Sequence, residues 1–88
     1  MRHSLDLLKK LRARHPDKAE RALALELGYS DTAFQSAQRR GNLSPEMAAE
    51  IAAVLGEDPK TWAFVATVEG AKDPNVKRRL TALLHAIV

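Results

Sequence analysis

Apolar residues recur along this chain at intervals of three and four, the spacing of helix faces, and no strand pattern of comparable length occurs. A first helix is expected from Ser4, as its N-cap, to about Arg14, with Leu7, Leu8 and Leu11 on one side and Leu5 at the edge of that stripe. His15-Pro16 ends it, because the residue before proline is biased away from the α region. Asp17 is expected to cap a second helix that ends at Leu27, where Gly28 can take a positive φ; Ala19, Leu23 and Leu27 would share its inner face. Ser30-Asp31 opens a third helix and Gly41-Asn42 closes it. Ser44-Pro45-Glu46 combines a cap, a proline at the first helical position and an acid in the first turn. The fourth helix that follows places Met47, Ala48, Ile51, Val54 and Leu55 on one face and stops at Gly56. Asp58-Pro59 and Asp73-Pro74 repeat the device, starting a fifth helix over about 59–70 and a sixth over about 74–86. Trp62, Phe64, Val65 and Val68 cover more than half the circumference of the fifth, which reads as core between its neighbours.

These elements predict an all-α fold, a compact bundle of five to six short helices in one domain of 88 residues. Residues 4–56 would form its main body and residues 57–88 a helical extension. The chain has no cysteine, which excludes disulfides and thiolate metal sites. Its start is charged, unlike a signal peptide, and no stretch reaches the roughly 20 apolar residues of a membrane span. A cytoplasmic protein with no membrane partner is therefore expected. The formal charge is +3, and residues 1–43 hold nine bases against five acids, so a polyanion would be met by that half.

The stretch from Leu23 to Gly41 carries the candidate chemistry. Two helices joined by so tight a turn must cross steeply, which requires small residues at Ala24 and Gly28. Phe34 and Ala37 form the inward face of the third helix, leaving Asp31, Thr32, Gln35, Ser36 and Arg39 outward at helical spacing. Hydroxyls, an amide and an arginine on one exposed face suit the major groove, since glutamine can pair with adenine and arginine with guanine. Arg39 and Arg40 could equally be cations at a helix C-terminus, and Asp31 a first-turn acid without a partner.

With Ala24, Gly28, Phe34 and the flanking Leu23 and Leu27, the stretch resembles the phage repressor and Cro-type helix-turn-helix proteins, as does the Leu55-Gly56-Glu57-Asp58-Pro59 ending of the next helix. The resemblance covers residues 4–60 and is strongest to small prophage-encoded regulators. It implies a lambda-repressor-like fold, a recognition helix starting near Asp31, and operator DNA bound by a dimer to regulate transcription. Carried over by position, Ser30, Asp31, Thr32, Gln35, Ser36 and Arg39 are the DNA contacts it implies, with Arg40 beside them. Two positions depart from the family's pattern. Glu20 stands where a phosphate-binding glutamine is common, and would repel phosphate unless Arg21 or Arg39 compensates. Ala37 and Gln38 stand where an aromatic residue is common.

In the sixth helix, Val76, Leu80, Leu83 and Ile87 fall in a narrow strip, either a dimer seam or the closure of the monomer's core against Trp62 and Val65; Leu84 widens it. His3, His15 and His85 have no acidic neighbours at ligand spacing, so no metal site is expected. With no nucleophile–base pair or glycine-rich phosphate loop, neither an enzyme, a cofactor nor a small-molecule ligand is expected. A protein–protein adaptor on the same fold, without DNA affinity, is the competing class.

Overall fold

The computed structural model describes residues 2–87, the side chain of Ile87 excepted. Six helices follow one another: α1 (Asp6–Arg14), α2 (Glu20–Glu26), α3 (Ala33–Arg40), α4 (Pro45–Val54), α5 (Pro59–Gly70) and α6 (Pro74–Ile87). Among the described residues there is no strand, and no helix is long and apolar enough to cross a membrane.

The cap-plus-proline signals place their helices accurately. Ser44 Oγ accepts the Met47 N–H at 3.2 Å, and an Asp58 carboxylate oxygen accepts the Lys60 N–H at 3.0 Å, each with proline in the first turn. Asp73 accepts the Asn75 N–H at 2.9 Å in the same manner. The Asp58 carboxyl is held below its ordinary range, first by the Thr61 hydroxyl and then by the Lys60 N–H.

Three expected caps and faces are corrected. Ser4 does not cap α1: its hydroxyl is turned inward to accept the Leu43 N–H at 2.8 Å, and α1 starts two residues later, at Asp6. Asp17 does not cap α2, because it lies in a turn closed by the Lys18 N–H donating to His15 O. Ala19, extended and exposed, is the N-cap instead. On α4 the buried positions centre on Ala48, Ala52 and Leu55, so at 100° per residue Val54 falls beyond the edge and is 47% exposed.

A single buried cluster runs through all six helices, from Leu7, Leu8 and Leu11 of α1 to Leu84 of α6. The most extensive contact is α4 on α5, so residues 4–56 and the helical extension after them share one core. α6 meets the rest chiefly through α5. Leu84 is buried and Leu80 packs against the cluster, whereas Leu83 is 53% exposed. The strip Val76, Leu80, Leu83 is thus no free seam: its Leu80 side closes the core, as Leu84 does, and Leu83 turns to solvent. Ile87, its fourth expected member, has a side chain outside the described residues.

Candidate nucleic-acid interface

The direction of α3 is set by the turn before it. At the end of α2 the Tyr29 N–H donates to Ala24 O and the Gly28 N–H to Leu25 O, both at 3.0 Å. This paired closure needs a left-handed residue between them, and Gly28 takes φ +87°. Tyr29 is thereby swung onto the core side, its ring 6.2 Å from that of Phe34. Phe34 is 1% exposed and Ala37 is fully buried, as their spacing predicts. Gly41, at φ +90°, ends α3 with its N–H donating to Ala37 O.

With that inner face fixed, Thr32, Gln35, Arg39 and Arg40 are exposed and Ser36 is half-buried. Ser30 is exposed in the turn, where its carbonyl accepts the Ala33 N–H; the helix therefore begins two residues after Asp31. Asp31 is neither a first-turn acid nor unpartnered, because Arg21 of α2 donates to its carboxylate at 3.0 Å. Glu20 is compensated, but by other residues than expected. Arg12 lies 3.4 Å from its carboxylate and the Gln38 amide donates to it at 3.3 Å. Arg12, Arg21 and Gln38 thus join the site as charge-balancing residues. Their partners lie across helix crossings, where the periodicity of a single helix carries no signal.

Three further cations of this region are also occupied, whereas Lys9 has no carboxylate partner among the described residues. Lys10 meets Glu57 at 2.9 Å, Lys18 meets Glu26 at 3.0 Å, and the Arg14 guanidinium donates to the carbonyls of Val54 and Leu55 at the end of α4. Glu57 also accepts the Trp62 indole N–H at 2.9 Å, and the Lys10 bond, with that of Trp62, holds its carboxyl below the ordinary range. Arg39 and Arg40 differ: among the described residues no carboxylate pairs with either, and the side chains of Thr32 and Gln35 make no hydrogen bond. The face is open, polar and cationic at its C-terminal end.

Beneath it lies one polar irregularity. The Tyr29 hydroxyl is buried and reaches no hydrogen-bond partner among the described residues. Burial, then attraction of the hydroxyl proton to the nearby Glu50 carboxylate and the charges of Glu50 and Glu46, push its pKa up to about 12. Among the described residues no three His, Asp or Glu side chains are grouped to hold a metal ion.

Compared with protein-family models, curated proteins and solved structures, the chain matches none of them.

Proposed function

We propose that this protein is a sequence-specific double-stranded DNA-binding regulator of transcription, with α2 and α3 as a helix-turn-helix and α3 as the reading helix. The observation that carries this reading is the outer face of α3. Thr32, Gln35 and Arg39 are exposed at helical spacing on a helix whose opposite side is locked by Phe34, and Arg39 and Arg40 have no carboxylate partner among the described residues. Gln35 and Arg39 supply amide and guanidinium forks able to read adenine and guanine, while Ser30, Ser36 and Arg40 reach phosphate or sugar. Asp31, tied to Arg21, positions the turn and does not meet a base. The intramolecular pairing of Glu20 removes the repulsion its carboxylate would otherwise offer to phosphate.

A single helix of this length spans few base pairs, so two copies on a two-fold site give the recognition its length. Among the described residues, Leu83 is the large apolar side chain of α6 left exposed, and such pairing would draw on it. The regulator would act by occupying a promoter-proximal operator, in the manner of a phage or prophage repressor.

Selection of bound sequences from a random duplex pool tests the reading. A recurrent palindrome is expected, and Gln35→Ala or Arg39→Ala should weaken binding to it by roughly 1–3 kcal/mol each without changing the circular dichroism spectrum. Absence of any duplex binding at low salt would instead leave the adaptor class standing.

A further inference from the structure

The distribution of charge changes when it is read along the folded chain. Residues 1–70 carry ten bases and ten acids, while residues 71–88 carry Lys72, Lys77, Arg78 and Arg79 against Asp73 alone. Residues 71–88 therefore carry a second basic excess of +3, separated from the +4 of residues 1–43 by an acidic stretch of −4 over residues 44–70. All four of these cations are exposed, and among the described residues none is paired with a carboxylate. Lys77, Arg78 and Thr81 lie on one side of α6, together with Pro74, Ala82 and His85.

The fold brings the start of this segment to the end of the reading helix. Gly70, the last residue of α5, lies against Asn42, which follows α3 by two residues; a Cβ at Gly70 would stand 3.4 Å from the Asn42 amide nitrogen. The same corner is held from behind by Ser4, which gives its N–H to Glu69 at 3.1 Å and accepts the Leu43 N–H. The C-terminus of α3, with Arg39 and Arg40, and the segment leading into α6, with Lys72, thus meet at one corner of the molecule.

We infer that the basic side of α6 is a second contact for the phosphate backbone, extending the interface beyond the reading helix. This inference rests on the DNA-binding reading of α3 and gives that site a sequence-independent arm. Direct readout by α3 would choose the sequence, and Lys72, Lys77 and Arg78 would add affinity common to all duplexes, because phosphates are alike at every site.

Salt dependence separates the two contributions. Each phosphate neutralised on duplex DNA contributes about −0.9 to the slope of log K against log salt. The combined variant Lys72→Gln, Lys77→Gln, Arg78→Gln replaces exposed side chains only, and is expected to keep the parent's melting temperature. Its slope should be shallower than the parent's by about 2–3 for each copy bound, about 5 for a pair on a two-fold site, with affinity lost equally for selected and random duplexes and the selected sequence unchanged. The Gln35→Ala variant should do the reverse, losing preference at a base position with the slope retained. A slope unaltered by the triple change, in a parent that binds its selected duplex, overturns the α6 contact and leaves the α3 reading intact. A parent that binds no duplex overturns both.

Discussion

At the scale of single residues, Tyr29 and Phe34 sit side by side and are expected to respond very differently to truncation. Phe34 fills the space between α2, α3 and the core, and removing its ring leaves a cavity that rigid helices cannot close. Phe34→Ala should cost about 3–5 kcal/mol in denaturant unfolding, and a melting temperature near that of the parent would mean that α3 is rotated from the register described. Tyr29 carries a buried hydroxyl that makes no close hydrogen bond but lies near the Glu50 carboxylate, so Tyr29→Phe should change stability at pH 7 by no more than about 1 kcal/mol. The alkaline limb checks the same group. Its folded pKa, about 12, lies above the ordinary 10.0, so stability is intact below pH 10 and is lost as the pH rises towards 12, the unfolded chain releasing its proton first. As the chain has one tyrosine, ultraviolet absorbance follows this ionisation directly, and Tyr29→Phe should flatten that part of the stability profile. A folded midpoint near 10 would show the hydroxyl to be solvated.

At the scale of elements, what was legible in the sequence is what closes within one turn. Ser44-Pro45 and Asp58-Pro59 find their N–H partners two or three residues on, so their helix starts could be read from the chain alone. The inner face of α3 was legible too, because Phe34 and Ala37 obey a single helical period. Ser4 has the same chemistry as Ser44, but its hydroxyl serves a residue 39 positions away, and nothing local announces that. The pairs Arg21–Asp31 and Arg12–Glu20 depend in the same way on how helices cross, which periodicity does not encode. The long-range use of Ser4 has a measurable signature. Ser4→Ala leaves the Leu43 N–H buried and unmet, which should cost about 1–3 kcal/mol and raise hydrogen exchange at Leu43, just beyond α3. Unchanged protection of that amide would remove Ser4 from its role as the clasp of the α3–α4 connection.

At the scale of the whole molecule, the open question of the α6 strip divides cleanly between core and surface. Leu84 is buried and Leu80 packs on the core, so charge introduced at Leu84 should unfold the chain. Leu83 is exposed, so Leu83→Asp should melt within a few degrees of the parent. If two copies pair through it, sedimentation should report a monomer for the variant and a dimer for the parent, with palindromic preference lost in parallel. A parent that sediments as a monomer at micromolar concentration would remove pairing from the proposed mechanism. The clasp at Ser4 also sets a timetable for the newborn chain. Its carboxylate partner, Glu69, is 65 residues downstream. A ribosome adding about 5–20 residues per second delivers Glu69 roughly 3–13 s after Ser4. During that interval Leu7, Leu8 and Leu11 are already made while α5, which closes over the shared core, is not. Slowing elongation across α5 would prolong that interval, and the cell's chaperones would meet α1 before its own fold could.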